Sequence, residues 1–472
     1  MALRLHNTLT GSTDPFRPLE PGRVRLYCCG PTVYGRAHVG NFRSFLFYDL
    51  LNRHLRRSGL GVTAVMNVTD IEDKIIAGAL EAGLETAAFT APFEAAFFSD
   101  TATLRMRPFD VNPRPTGHIP EMVALIEALL AGGHAYRAEG GVYYRVSSFP
   151  GYGALAHLDL RGLKVGARVA QDEYEKESAS DFALWKAESP HDAQVGAVWE
   201  TALGRGRPGW HVECSAMSMR YLGESFDIHC GGVDLLFPHH VNEMAQSEAV
   251  TGKPLARFWL HSEHLADLTG EKMSKRWGNV STVPDLLAAG HDPLAIRFFL
   301  IANAHYRTRL RFDVTGLHAA AEQVRRLRDF ARRVERLAPE GGGDPAFARR
   351  AEQALKRYRE ALDDDLNLPR GVGHLFDFVR EANAALDRGR VGEAGRRAVL
   401  ALLEEADVHL DVLSGGDLIL EEEVERLIAE RETARAGREF ARADAIRAEL
   451  KGRGILLEDS REGVRWRRAG PA

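Results

Sequence analysis

Residues 24–68 read VRLYCCGPTVYGRAHVGNFRSFLFYDLLNRHLRRSGLGVTAVMNV, and this stretch sets the expected fold class. Residues 24–29 are β-prone and stop at Gly30-Pro31, two strong chain punctuators. From 41 to 58 apolar residues recur near helical spacing (Phe45, Leu46, Tyr48, Leu50, Leu51, Leu55), and Gly59 supplies a stop. Residues 61–68 form a second β-prone run. Strand, helix and strand in this order make a βαβ unit, whose strands run parallel. The expected fold class is therefore α/β with a doubly wound parallel sheet.

Further along the chain, residues 112–205 carry short β-prone pieces such as Val142-Tyr143-Tyr144-Arg145-Val146 among glycines and polar stretches, which reads as an insertion. Phe226-Asp227-Ile228-His229 then resembles another buried strand, and residues 238–250 a helix closed by Gly252, so the α/β layer resumes. Residues 315–413 are dominated by Ala, Leu, Arg and Glu at helical spacing and read as an α-helical bundle. Residues 401–430 hold ten acidic residues and one basic one, whereas 431–472 hold eleven basic and seven acidic. The last 42 residues thus carry +4 and the rest −9, a polarity change that suggests a small C-terminal module. A solvated helix with paired charges would give the same pattern.

The chain has 472 residues, a net charge of −5 and four cysteines. Hydrophobic residues at 45% and charged residues at 27% exclude disorder and collagen-like structure. The longest apolar runs, 122–131 and 397–403, fall short of the ~18 residues of a membrane helix, so no membrane partner is expected. No secretory signal is visible at the N-terminus, which makes the cytoplasm the expected location. Four cysteines in a chain this long are no disulfide framework; in a reducing compartment they are thiols or metal ligands.

Two short motifs can carry phosphate chemistry. His38-Val39-Gly40-Asn41 lies between the first strand and its helix, where backbone N–H groups point outward and a glycine lets a phosphate approach. A turn histidine is the plain alternative. Glu271-Lys272-Met273-Ser274-Lys275-Arg276-Trp277-Gly278 places two ammonium groups three residues apart, suited to charge building on a departing pyrophosphate. A solvated charged loop is the alternative there. His239 and Glu243, four apart in a segment that Pro238 opens as a helix, share one face and can hold one metal. Zinc accepts thiolate, imidazole and carboxylate together, and Cys29 and Cys214 are available if the fold gathers them. Without a C-x-x-C spacing, two buried core thiols and a capped helix start remain the alternative.

Taken together, HVGN and KMSKR resemble the two signatures of class I aminoacyl-tRNA synthetases, HIGH and KMSKS. Cys29-Gly30-Pro31-Thr32-Val33-Tyr34, Asn67-Val68-Thr69-Asp70-Ile71-Glu72-Asp73-Lys74, Gly209-Trp210-His211-Val212-Glu213-Cys214-Ser215-Ala216-Met217, and Phe237-Pro238-His239-His240 with Asn242-Glu243 narrow the resemblance to the cysteinyl-tRNA synthetase family. It extends over Asp363-Asp364-Asp365 with Asn367 and the tail from Ala441 to Trp466.

The resemblance implies a Rossmann-type catalytic domain split into 1–111 and 206–262 by a connective-peptide insertion at 112–205. A stem-contact region with the KMSKR loop follows at 263–314, then a tRNA-binding bundle at 315–413 and an anticodon-contacting module at 414–472. It implies one Zn²⁺ per chain on Cys29, Cys214, His239 and Glu243. Neighbouring strand residues point to opposite faces, so only one of Cys28 and Cys29 should face the metal. Alignment on CGPT selects Cys29, leaving Cys28 and Cys230 as packing thiols. His38, Asn41, Lys272 and Lys275 become catalytic candidates. Gly40, Gly231, Gly232, Asp234 and Lys275 would bind ATP, with Asp234 on the ribose hydroxyls. Trp210 and Thr69 would line the cysteine pocket.

The implied reaction is ATP-dependent ligation of L-cysteine to its tRNA through cysteinyl-adenylate, with ATP and Mg²⁺ as co-substrate, by a cytoplasmic monomer. Serine differs from cysteine by one atom, and a ~10⁴ discrimination needs about 5.5 kcal/mol, which zinc binding of a thiolate can supply without an editing domain. Three residues depart from the family pattern: Arg276 for the last serine of KMSKS, Val241 for a frequent glutamate, and Cys230 for a glycine. The rivals are a cysteine–sugar-amine ligase of the same superfamily, which should lack the tail, and a catalytically silent RNA-binding relative.

Overall fold

The computed structural model describes residues 3–158, 180–267, 281–339, 343–413, 418–437, 439–452, 455–460 and 463–468. Four parallel strands form the central sheet in the order Ala256–Ser262, Phe226–Gly232, Arg23–Cys28, Gly61–Met66. All seven residues of Phe226–Gly232 are buried, polar Asp227 and His229 included, as in a strand covered on both faces. The helix Val39–Arg57 crosses between the first two strands in chain order, and Gly59, at φ +83°, turns the chain back toward Gly61. Residues 67–68 leave the sheet, so the second strand is two residues shorter than its β-prone run.

The outer edge at Ala256–Ser262 is covered by an N-terminal hairpin, Arg4–Asn7 against Ser12–Pro15. Thr8 N–H donates to the Trp259 carbonyl (2.8 Å), and the Asn7 side chain accepts from Trp259 N–H (3.0 Å). These bonds satisfy edge groups that would otherwise template association.

Between the second and third core strands lies an antiparallel five-stranded sheet in the order Ala135–Ala138, Gly141–Tyr144, Phe182–Ala187, Gly204–Pro208, Trp199–Thr201. It carries only a small cluster of its own, Tyr136, Tyr143 and Ala183. One apolar cluster joins Tyr27 and Val65 of the parallel sheet to Met122 and Ile126 of the Ile119–Ala131 helix, to Trp185, and to Met217 and Trp259.

Helices Val314–Glu335, Pro345–Asp363, Leu368–Asp387 and Glu393–Leu410 form the bundle. Asp313, Asp344 and Asn367 cap three of them by accepting backbone N–H bonds from Gly316, Ala346 and Arg370. Phe347, Ala351, Ala354, Tyr358 and Leu362 recur at three- and four-residue spacing as a buried seam. The fully buried Arg297 ties this bundle to the α/β layer: it donates to Asp49 Oδ2 (2.7 Å) and to the carbonyls of Leu104 (3.0 Å), Leu410 (2.6 Å) and His409 (3.1 Å). A buried guanidinium is tolerated only when its donors are met in this way.

Residues 412–472 are a second compact unit. Helices Leu418–Ala436 and Phe440–Gly452 pack with an antiparallel hairpin, Ile455–Ser460 against Gly463–Arg468, around Leu427, Ile446, Leu450, Ile455 and Leu457. Among the described residues no helix is long and apolar enough to cross a membrane.

Candidate active site and metal centre

In an open parallel sheet, ligands bind beyond the carboxyl ends of the strands, where successive connections depart to opposite sides. Here that point lies between Arg23–Cys28 and Phe226–Gly232. Both chains of candidate residues start there, His38 to Asn41 after the first strand and Gly231 to Asp234 at the end of the third.

Cys28 sits in register with Cys230 on one side and Met66 on the other, and Cys29 is the first residue past the strand, its N–H donating to the Cys230 carbonyl at 3.0 Å. The alternation separates the two thiols. Cys28 is a free thiol hydrogen-bonded to that of Cys230, and burial pushes it well above the usual thiol range. Cys29 faces the other way. It joins Cys214 from the Trp210–Leu222 helix, His239, and Glu243 from the first turn of Val241–Thr251, with ligand atoms all within 4.8 Å of one another and all four residues buried.

The electrostatics of this group fit a cation. His239 Nε2 lies 3.1 Å from Glu243 Oε1, and His229 Nε2 lies 2.9 Å from Glu243 Oε2. Burial opposes ionisation of Glu243, but His229 and His239 outweigh it and hold the carboxyl down at about 2. The hydrogen bond from Cys29 brings the Cys214 thiol down to about 6 against its burial, with help from His239. Two thiols, an imidazole and a carboxylate are a donor set that zinc accepts.

Behind the four lies a layer of histidines that sequence reading missed. His211 Nδ1 is 2.9 Å from His239 Nδ1; His240 Nε2 is 3.4 Å from Cys29 Sγ, and its Nδ1 is 2.8 Å from His261 Nε2, which meets Thr8 Oγ1 through Nδ1 at 2.7 Å. Cys29, His229, His240 and Glu243 also fall within 4.8 Å of one another. The doubled histidine at 239–240 was the one sequence signal; His229 and His261 come from separate strands. Gly231 is required beside this layer, because a Cβ there would collide with the His240 ring.

Trp210, 38% exposed, lays its ring 4.4 Å from that of His239 at 33°. Thr69 is buried; its hydroxyl accepts from Asn67 Nδ2 (3.0 Å) and its carbonyl from Val33 N–H (3.1 Å). Asn67 Oδ1 in turn accepts from Gly30 N–H (3.0 Å), which fixes the turn after Cys29.

His38 is the N-cap of Val39–Arg57, and Asn41 Oδ1 accepts its backbone N–H at 3.0 Å. Gly40 is needed here: a Cβ would stand 2.8 Å from His38 Nδ1. Asp234, in the turn Val233–Leu235, keeps a half-exposed carboxylate 4.0 Å from His264 Nδ1. A Cβ on Gly232 would come 2.5 Å from Asp234 Oδ1, so that glycine admits the carboxylate. Lys272, Lys275 and Arg276 lie outside the described residues. The chain returns at Ser281, whose carbonyl accepts from Val39 N–H at 2.9 Å, while Thr282 bridges to His38.

Residues 15–322 match the model of the class I (C) tRNA synthetase catalytic domain, 357–412 that of the DALR domain, and 419–467 that of the cysteinyl-tRNA ligase anticodon binding domain. The chain is 46% identical to a cysteine–tRNA ligase of Solibacter usitatus, covering 99% of this chain and 100% of that protein. It is 45% identical to one from Chlamydia pneumoniae, covering 98% and 97%. In fold it is similar to Mycobacterium tuberculosis methionyl-tRNA synthetase in complex with methionyl-adenylate (TM-score 0.59, 16% identity, 82% of this chain and 90% of that one). A putative arginyl-tRNA synthetase from Campylobacter jejuni aligns with a TM-score of 0.53 at 14% identity, over 82% and 91%. With the catalytic-domain model matched over well over half its length and relatives alike from end to end, the chain belongs to the cysteinyl-tRNA synthetase family.

Proposed function

We propose that this protein ligates L-cysteine to its tRNA at the expense of ATP, with one Zn²⁺ per chain and with Mg²⁺ accompanying ATP, as a cytoplasmic monomer. The observation that carries the reading is the buried group Cys29, Cys214, His239 and Glu243, walled by Trp210 at the mouth of the sheet that presents His38. Cys29, Cys214, His239 and Glu243 would hold zinc, which would supply a soft site favouring a thiolate over the neutral hydroxyl of serine. Trp210 closes the pocket from the side, and Thr69 offers a polar contact at its rim.

In the first step a carboxylate oxygen of cysteine attacks the α-phosphorus of ATP, the bond to the bridging oxygen breaks, and pyrophosphate leaves. His38, at the N-terminal end of Val39–Arg57, stabilises charge on the phosphate, and Gly40 and Asn41 shape the turn that presents it. Lys272 and Lys275 hold the departing pyrophosphate. Gly231 and Gly232 shape the strand end that receives adenosine, Gly231 by admitting the His240 ring and Gly232 by admitting Asp234, whose half-exposed carboxylate accepts from the ribose hydroxyls. In the second step the 2′-hydroxyl of the terminal tRNA ribose attacks the acyl carbon, loses its proton, and AMP leaves with the mixed-anhydride oxygen.

Residues 419–467, matched by the anticodon-binding model, favour tRNA over a sugar amine as acceptor. Cysteine-dependent ATP–pyrophosphate exchange tests the reading: its absence overturns the ligase assignment, and transfer to a sugar amine in place of tRNA would select the rival enzyme.

A further inference from the structure

Asp363-Asp364-Asp365-Leu366-Asn367 forms the turn between helices Pro345–Asp363 and Leu368–Asp387, and its side chains go to different partners. Asp363 Oδ1 is 3.3 Å from His54 Nε2, Asp364 pairs with Arg370 at 3.0 Å, and Asn367 caps the next helix. Asp365, 4% exposed, is the hub. Its Oδ1 accepts from His6 N–H (2.8 Å) and from the Tyr306 hydroxyl (2.7 Å), and its Oδ2 from Arg307 Nε (2.8 Å). Its carbonyl lies 2.7 Å from His305 Nε2, and its N–H donates to the Arg4 carbonyl at 3.0 Å. Asp365 and Leu366 sit at φ +59° and +53°, a left-handed conformation that side-chain-bearing residues keep only where surrounding bonds over-determine it.

Tyr306 is the informative partner. Its ring stacks on Phe47 of the helix that His38 opens, 4.2 Å apart at 11°. Its carbonyl accepts from Glu263 N–H at 2.8 Å, and Leu265–Ala266 then pairs in parallel with Leu310–Arg311. Residues 263–266 immediately precede in the chain the segment bearing Lys272 and Lys275. From the other side Arg43, also on the His38 helix and 2% exposed, donates to the carbonyls of Ala304 (3.0 Å) and His305 (2.8 Å). The 303–309 loop is therefore held at once by the bundle turn, by the His38 helix and by the stretch leading to the lysines.

We infer that Asp365 is a positioning residue for adenylate formation, acting through Tyr306 to fix residues 263–266 relative to the helix that carries His38. It touches neither substrate nor reacting atoms. It rests on the ligase reading above, in which groups from both signatures must meet one triphosphate, and small displacements of such groups are expensive in rate.

The test measures cysteine-dependent ATP–pyrophosphate exchange per titrated active site in the wild type, Tyr306→Phe, Asp365→Asn and the double variant, with KM for cysteine and bound zinc alongside. Tyr306→Phe keeps the ring and its stack, so it decides the matter even if Asp365→Asn fails to fold. The expected result is a kcat lowered about tenfold in each single variant, unchanged zinc content and cysteine KM, and a double variant no slower than the slower single. Unchanged kcat per site in Tyr306→Phe, losses that multiply, or a rise in cysteine KM equal to the fall in kcat would each overturn the positioning role. A wild type without exchange would instead overturn the ligase reading on which it stands.

Discussion

The backbone N–H of Val39 donates to the carbonyl of Ser281 across 2.9 Å, so the residue that follows His38 is tied directly to the end of the segment bearing Lys272 and Lys275. Ser281 is itself anchored by its neighbours in the chain. Thr282 and Asp285 form a reciprocal cap on the helix Val283–Ala288, with Thr282 N–H donating to Asp285 Oδ2 at 2.8 Å and Asp285 N–H to Thr282 Oγ1 at 3.3 Å.

Removing that cap tests the tie. Asp285→Ala should lose about 1 kcal/mol of local stability, as capping substitutions do. Exchange kcat should fall about threefold to tenfold with cysteine KM unchanged, since only the phosphate-handling elements are displaced. Equal changes in kcat and cysteine KM would contradict this division.

Cys214→Ser should deplete bound zinc and weaken cysteine binding by at least ~10-fold while leaving ATP binding within about twofold. Metal analysis and equilibrium dialysis with each substrate check this. Normal metal content with unchanged cysteine affinity would remove Cys214 from the ligand set.

Trp210 packs its ring against His239 yet remains 38% exposed, so it should matter more to substrate than to folding. Trp210→Ala should raise cysteine KM about tenfold and move the melting temperature little, because an aromatic wall contributes about 0.5–1.5 kcal/mol beyond its buried area. A large loss of thermal stability with unchanged KM would make Trp210 a core residue instead.

Glu405 offers a pH-dependent test far from the metal group. It accepts from Arg57 Nη2 (2.6 Å) and Arg359 Nε (2.9 Å); burial raises its carboxyl, but the two guanidiniums outweigh it and hold it below the usual carboxylate range. A folded pKa below the unfolded one contributes stability that is fully present above ~4.3 and disappears as pH falls through the folded value. Glu405→Gln should cost about 1–2 kcal/mol at pH 7, both arginines being partly exposed. The difference from wild type should shrink in urea titrations below about pH 4. A difference independent of pH would refute the assignment.

Residues 412–472 form a compact unit with a core of their own, so truncation after Asp411 should spare exchange and impair charging of tRNA. Equal loss of both activities would count against the modular assignment.

Much of this was legible in the sequence because it obeys a short period. The parity of Cys28 and Cys29 follows from strand alternation, and the contact of His239 with Glu243 from their spacing of four. That contact arises as the sequence suggested: Phe237, extended before proline, is the break, and from Pro238 the backbone is helical through His240 into Val241–Thr251. The histidine layer was not legible, since His211, His229, His240 and His261 sit on four elements that converge only when the sheet order is known. Nor was the division of labour among the three aspartates, because their partners Arg4, His6, His54 and Tyr306 are remote in sequence.

The position of Arg23–Cys28 between Gly61–Met66 and Phe226–Gly232 bears on how the chain is made. Once the second strand has left the ribosome, the first still presents an unpaired hydrogen-bonding edge, and its mate begins about 160 residues later. At synthesis rates of ~5–20 residues per second the nascent chain carries that open edge for about 10–30 s. The inserted antiparallel sheet is synthesised within this interval, and the apolar residues it must bury against the parallel sheet are available before the third strand closes it. The expected point of vulnerability during biogenesis is therefore a half-built sheet, and a ribosome-stalled chain ending near residue 210 should be far more protease-sensitive and chaperone-bound than one stalled beyond 262.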